Sequence, residues 1–518
     1  MIALAPLKTA LPAALFFLSA VGASLAAPDD GLIERGKYLA TIGDCAACHT
    51  RQGGEPFAGG LQIQTPFGSV TTPNITPDKR TGIGEWTEDE FYRALHEGIG
   101  KHGQYLYPVF PFTSFTKVRR DDVNAIRAYL MSLKPVHAPR EANSLAFPFD
   151  IRETLSVWRG LFFVPGVFEP DPARSEQVNW GAYLVEGLGH CGQCHTQRNL
   201  MGATIPGDAL QGAAVQGWFA PNITADMTRG IGSWSEQQLV SYLASGVAPM
   251  RSIAEGPMAT VVHDSLSKLK IEDLRSIAAY LKQTPPRADV AGGSVVPVPA
   301  GAAGIYVSNC ASCHGLDGEG FKDRIPPLSK NGTVNAEQPQ DIIKAVLAGL
   351  PATQQYGPMP SFAAYLSDGD IAAVANYVRS RWGNNAPTDA DSFLVREIRQ
   401  STPIMLAGGE GSTQCPPPLN EKERVVMDKA KAEAGDLLRT TQGGNLVLRI
   451  REILPKVRAA VHHASEADIV NGLTAAFCPV VADRETMTVA QKRNLLDIFA
   501  QITYAEASGM LGRRPSRQ

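Results

Sequence analysis

Three short blocks constrain this chain more than anything else in it: Cys45-Ala-Ala-Cys48-His49, Cys191-Gly-Gln-Cys194-His195 and Cys310-Ala-Ser-Cys313-His314. Each is C-x-x-C-H, the pattern on which c-type haem is attached. The spacing follows from the chemistry. Two thiols one helical turn apart add to the two vinyl groups of one porphyrin, and the next residue aims an imidazole at the iron. The reading is three covalently bound c-type haems, held by Cys45, Cys48, Cys191, Cys194, Cys310 and Cys313, with His49, His195 and His314 as proximal ligands. Six of the eight cysteines are used this way. A zinc knuckle or a redox dithiol is the alternative reading of these motifs.

With 518 residues the chain has room for three or four domains. Its net charge of −3 gives no basic excess of the kind that nucleic acid or an anionic membrane surface would call for. Lys8 precedes an apolar run through Phe16-Phe17-Leu18, and Ser24-Leu25-Ala26 puts small residues at a cleavage position. Residues 1–26 therefore read as a secretory signal. An uncleaved anchor is the competing reading, although Pro12 interrupts the stretch and a spanning helix needs about 20 apolar residues. Export to the periplasm also suits C-x-x-C-H maturation, which takes place outside the cytoplasm.

The haem modules form an internal repeat. Gly36-Lys37-Tyr38-Leu39 and Gly181-Ala182-Tyr183-Leu184 precede the first two motifs. Downstream, Pro73-Asn74-Ile75-Thr76 with Gly82-Ile83-Gly84 recurs as Pro221-Asn222-Ile223-Thr224 with Gly230-Ile231-Gly232, an offset of 148 residues. Each module closes on a helical apolar pattern: Ile126, Tyr129, Leu130 and Leu133, then Ile277, Tyr280 and Leu281, then Ile371, Val374, Tyr377 and Val378. The expected fold is mainly α, three tandem cytochrome c domains (30–140, 177–286 and 301–384) followed by a small helical C-terminal domain. Asn74-Ile75-Thr76 matches a glycosylation sequon but is read as a turn lining a haem pocket.

A distal methionine suits such a site because a soft thioether favours ferrous iron. Gly256-Pro257-Met258 follows His195 by 63 residues, and Gly357-Pro358-Met359-Pro360 follows His314 by 45, so Met258 and Met359 are the expected distal ligands. Subtracting 148 from Met258 lands on Phe110, which cannot bind iron. The first haem then has an open position, or takes His102 from the same loop, or takes Met131 from the closing helix.

An aromatic linker (141–176) runs through Phe147, Trp158, Phe162 and Phe163. It is expected to pack between modules or, if exposed, to dock a partner subunit or the membrane interface. A stiff linker (287–300) and a polar one (385–415) follow. From about 416 to 510 the haem motifs stop, while Val470, Leu473 and Phe477 keep helical spacing, as do Leu495, Ile498, Phe499 and Ile502. Ser465-Glu466-Ala467-Asp468 resembles a helix start. Cys415 and Cys478 read as a disulfide, worth roughly 4 kcal/mol in the loop-entropy model; free thiols or an intermolecular bridge are the alternatives. The adjacent His462 and His463 would point apart on a helix and are taken as surface residues.

Residues 30 to 385 or so resemble the triheme cytochrome c subunit of bacterial periplasmic alcohol, gluconate, sorbitol and aldehyde dehydrogenases. The resemblance rests on Asn74-Ile75-Thr76-Pro77-Asp78, Gly256-Pro257-Met258 through Val262-His263-Asp264-Ser265-Leu266, and Gly357-Pro358-Met359-Pro360-Ser361-Phe362. It implies a separate catalytic dehydrogenase subunit, using quinone cofactor, flavin or molybdenum, that feeds electrons through the haems to ubiquinone or a terminal oxidase. The family's mode of attachment to the inner membrane is not carried over to this chain, for which a peripheral membrane contact is the expectation. Phe110 stands where the family has Met, and the extension past residue 400 lies outside the resemblance. An electron-transfer subunit without its own catalytic residues is the reading, because the chain has no flavin or nicotinamide fingerprint. A haem enzyme, or a gas or redox sensor acting at the first haem, is the alternative.

Overall fold

The computed structural model describes residues 30–286, 297–322, 324–353, 355–401, 415, 418, 421–461 and 463–509. The expected signal segment and parts of the two later linkers lie outside these residues.

Among the described residues the fold is mainly α, with three small antiparallel sheets. The opening helix Asp30–Ile42 crosses the closing helix Arg120–Ser132, and Glu176–Tyr183 crosses Ile271–Leu281 in the same way. The glycine of the repeated Gly-x-Tyr-Leu makes the crossing close. A Cβ on Gly36 would lie 1.8 Å from the Ala125 carbonyl oxygen, and one on Gly181 would lie 1.9 Å from that of Ser276. The tyrosine of the same motif reaches into the other module. Tyr38 donates to Asp273 at the start of the second closing helix, and Tyr183 donates to Asp122 Oδ2 (2.5 Å) at the start of the first.

This exchange makes the first two modules a reciprocal pair. One apolar core runs through Leu39, Ile126, Leu130, Val178, Leu184 and Ile277 of both. The aromatic linker is a strap on this pair. Ser144–Leu145 adds a third strand beside Gly68–Thr71, and the helix Leu155–Phe162 turns Trp158 inward against Phe112. The linker is divided: Leu155 and Trp158 are buried, whereas Phe147, Val157, Leu161 and Val164 face outward.

The third module has its own core of Tyr306, Ile343, Leu347, Ile371 and Val374. Its tyrosine turns inward, Tyr306 donating to the Gly315 carbonyl (2.6 Å) rather than to a neighbouring module. Beyond it, Glu421–Thr440, Leu446–Ala460, Glu466–Ala482 and Val489–Ala507 pack as four helices around Val426, Ile450, Leu473, Phe477 and Phe499. Ser465 caps the third of them reciprocally with Asp468, at the start read from the sequence. Cys415 and Cys478 are joined in a disulfide. His463 lies in the turn after Ala460 rather than on a helix, because Val461 already leaves helical geometry; His462 lies outside the described residues. Among the described residues no helix is long and apolar enough to cross a membrane.

Candidate haem-binding sites

Each C-x-x-C-H block folds as a short helical turn, Cys45–His49, Gly192–His195 and Ala311–His314, which sets its two thiols one turn apart. The imidazole at its end is then fixed from outside. Nδ1 of His49 meets the Pro73 carbonyl oxygen at 2.7 Å, Nδ1 of His195 meets that of Pro221 at 2.7 Å, and Nδ1 of His314 meets that of Pro326 at 3.2 Å. A carbonyl only accepts, so Nδ1 carries the proton and Nε2 keeps the lone pair that an iron would take. Burial holds all three imidazoles below their ordinary pKa, in the neutral form that ligation requires.

The repeated Pro-Asn-Ile-Thr owes its place to this carbonyl. Asn74 Oδ1 accepts from the Thr76 N–H (2.9 Å), and Asn222 Oδ1 accepts from that of Thr224 (2.8 Å). Each Asx turn fixes the proline just before it. Both asparagines are buried, so the segment is a pocket wall. In the third module Pro326-Pro327 supplies the carbonyl without the motif, and sequence reasoning passed over it.

The donor set fits haem better than the alternatives. Burial pushes the Cys45 and Cys191 thiols up to about 12 and Cys310 up to about 11, opposite to the lowered thiol of a redox dithiol. Among the described residues no three His, Cys, Asp or Glu side chains are grouped to hold a metal ion, as a zinc knuckle would need.

On the distal side, Met258 lies in the first turn of the helix Gly256–Asp264 instead of in an irregular loop. Pro257, which lacks an N–H, suits that helix start. Met359 is extended, its N–H donating to the Leu350 carbonyl (3.0 Å) while its own carbonyl accepts from the Leu350 N–H (2.9 Å). In the first module Ile99 pairs with Tyr105 where Val247 pairs with Ile253 in the second, again 148 residues on. That register sets Phe110 in the place of Met258. The Phe110 ring stands 5.5 Å from Phe115, within the aromatic cluster under the strap. His102 lies on an exposed turn, its N–H donating to Gln104 Oε1 (3.0 Å), and Met131 packs half-buried against the core.

Contacts between modules escaped the sequence, because they carry no local pattern. Gln193 Nε2, inside the second attachment block, donates to Thr113 Oγ1 (3.1 Å) and Ser114 Oγ (2.9 Å) of the first module, which joins the first two sites. The Met250 N–H donates to the Tyr356 hydroxyl (3.2 Å), and Tyr356 shares a buried cluster with Val247 and Ile253, which joins the distal segments of the second and third modules. His190, in left-handed geometry just before Cys191, sets its ring 5.5 Å from Phe115 of the first module.

The cytochrome c family model matches residues 33–134 and 300–382. The chain is 37% identical over 415 residues to the cytochrome c subunit of the alcohol dehydrogenase (quinone) of Gluconobacter oxydans, covering 74% of this chain and 86% of that one. It is 36% identical over 411 residues to the gluconate 2-dehydrogenase cytochrome c subunit of Pantoea cypripedii, covering 74% and 92%. A nicotinate dehydrogenase subunit of Pseudomonas putida is 40% identical over 396 residues; that match covers 74% of this chain and only a third (33%) of the relative's length.

Proposed function

The chain belongs to the cytochrome c subunits of dehydrogenase complexes, electron-transfer subunits that carry covalent c-type haem, and from that premise we propose that it relays electrons from a catalytic dehydrogenase through three haem sites to a quinone or a terminal oxidase. Bound haem supplies the one-electron couple. The chain supplies thioether anchors at Cys45 and Cys48, Cys191 and Cys194, and Cys310 and Cys313, and proximal imidazoles at His49, His195 and His314. It supplies distal sulfur at Met258 and Met359, and at the first site an open position or His102. The assembly works in the periplasm at the inner membrane, after residues 1–26 direct export.

One observation carries the reading: the sites are contiguous. Gln193, inside the second attachment block, donates to Thr113 and Ser114 of the first module's distal segment, and Tyr356 of the third distal segment holds the backbone of the second at Met250. A row of adjoining sites is what a relay needs, whereas an independent haem enzyme needs only one. The Phe110 position favours a second reading, ligand binding at the first site.

The test uses the matured protein. Its mass gain after acid-acetone extraction should equal three haems. The reduced protein should be reoxidised by a short-chain ubiquinone, while ethanol or gluconate alone leaves the oxidised protein unchanged. Fewer than three haems ends the three-site reading, and turnover of substrate by the isolated chain ends the relay in favour of an enzyme.

A further inference from the structure

We propose that the C-terminal helical bundle is the outer wall of the third haem site, with Asn471 and Tyr504 as positioning residues that hold the Met359 segment in its ligating geometry. The proposal rests on Met359 being the distal ligand.

The argument starts from the second site. There the glycine of Gly256-Pro257-Met258 lies under the Trp218 indole, so close that a Cβ on Gly256 would come within 2.4 Å of its ring. Trp218 belongs to the strand Trp218–Ala220, half of that module's own hairpin. The third module, among its described residues, builds no such hairpin between His314 and Gln340, only the single bridge of Phe321 with Ile325. Its Gly357-Pro358-Met359 is nevertheless covered in the same way. A Cβ on Gly357 would lie 2.8 Å from Cε1 of Tyr504, and Tyr504 belongs to the last helix of the extension, Val489–Ala507. The bundle supplies from outside what the hairpin supplies from within.

Tyr504 does not act alone. The Ala352 N–H donates to Asn471 Oδ1 (3.1 Å), and Asn471 Nδ2 donates back to the Ala352 carbonyl (2.9 Å), so one amide side chain pairs with the segment as a neighbouring strand would. Nη2 of the buried Arg493 donates to the carbonyls of Leu347 (3.3 Å) and Ala348 (2.9 Å). Ala352, Ala467, Val470, Ala500 and Tyr504 close an apolar seam between the two parts. Contacts therefore fall along the chain that leads into Met359 and directly beside it at Gly357. The disulfide at Cys478 and the apolar core hold the helix that carries Asn471. Partners of this kind orient a ligand they never touch, and a segment ordered in advance keeps its thioether near the iron at little further entropic cost.

The test compares variants of the full-length ferric holoprotein mixed with imidazole, which enters a His/Met site only when the sulfur leaves. Met359→Leu identifies the phase that belongs to the third site. Asn471→Ala and Tyr504→Leu should each speed that phase by roughly tenfold, as expected when one or two net hydrogen bonds or a comparable contact are lost. Each should also lower the potential of the same haem, while the phase tied to Met258 keeps its rate. Circular dichroism and disulfide mapping establish that the bundle is folded in each variant. Should Asn471→Ala fail to fold, Tyr504→Leu decides, since it acts from the edge of the bundle. Third-site kinetics and potential unchanged in the folded variants, where Met359→Leu does alter them, overturn the wall. A Met359→Leu change that alters no haem overturns instead the ligand reading beneath it.

Discussion

In the first and second modules the distal segment leaves a helix through a left-handed glycine, Gly98 (φ 64°) after Glu88–Glu97 and Gly246 (φ 76°) after Glu236–Ser245. Both segments turn back on themselves, closed by Leu106 N–H to the Gly98 carbonyl (2.8 Å) and Ala254 N–H to the Gly246 carbonyl (2.7 Å). They then diverge. The second runs into the nine-residue helix that carries Met258, and the first into the single turn Phe112–Phe115, packed under Phe163 and Trp158 of the strap. Backbone hydrogen bonds hold the two frames alike whatever side chain points inward. A repeat can therefore keep its scaffold while one position changes from a sulfur donor to a hydrocarbon ring, and with it the chemistry of the site.

The largest effect expected from this difference is on ligation. Met258→Leu keeps volume and removes the proposed soft ligand, so one haem should lose its near-infrared sulfur-to-iron band and fall in potential. Phe110→Leu should leave every such band in place. Phe110→Met should create a band where none existed and raise the first haem, since the frame around residue 110 matches that around Met258. His102→Ala divides the two readings of the wild-type first site: loss of a low-spin signal assigns His102, and an unchanged haem reactive with carbon monoxide assigns an open position. Three equivalent His/Met spectra in the wild type would break the comparison and point to Met131.

That contrast was legible in the sequence because the offset of 148 residues preserves hydrogen-bond register as well as motif. The attachment blocks, the Gly-x-Tyr-Leu helices and the bundle helices were legible for a related reason, since their patterns are local and periodic. The merger of two modules into one core was not. Tyr38 meets Asp273 and Tyr183 meets Asp122 across more than sixty residues, and either tyrosine reads locally as an ordinary core residue. Trp218 and Tyr504 were missed likewise, because an aromatic ring covering a distant glycine leaves no spacing to detect, and so was Tyr356, whose hydroxyl meets the backbone of Met250 more than a hundred residues away. Pro326 escaped because the third module reaches the same carbonyl contact without the Asx turn.

The shared scaffold makes its own prediction, next in size. Gly36→Ala and Gly181→Ala each drive a methyl group to within 2 Å of a backbone oxygen that cannot swing aside (1.8 and 1.9 Å). Each should cost about 3 kcal/mol, the upper part of the overpacking range, measured from the denaturant midpoint of the holoprotein. Equal costs sharpen the likeness of the two helix crossings. A small cost at one site would show that its crossing is looser than the other.

The smallest effect separates the two tyrosine–aspartate exchanges. Asp122, fully buried, accepts from Tyr183 and from Arg35 Nε (3.1 Å), with Arg119 Nε 3.6 Å away. Asp273 accepts from two neutral donors, Tyr38 and Trp180 Nε1 (2.6 Å). Burial and the neighbouring carboxylate push both tyrosine hydroxyls above their ordinary pKa, so they remain donors through the neutral range. Asparagine keeps one acceptor oxygen at either position but gives up the charge. At residue 273 that weakens two bonds, for about 1 kcal/mol. At residue 122 it also leaves Arg35 without its anion. Because the guanidinium is about half exposed (side chain 54%), solvent screens much of that loss, and the total should be about 2 kcal/mol. Asp122→Asn should therefore destabilise the holoprotein more than Asp273→Asn. Equal costs would mean that the arginines contribute nothing to the module pair, and the reverse order would make the Tyr38–Asp273–Trp180 half the stronger one.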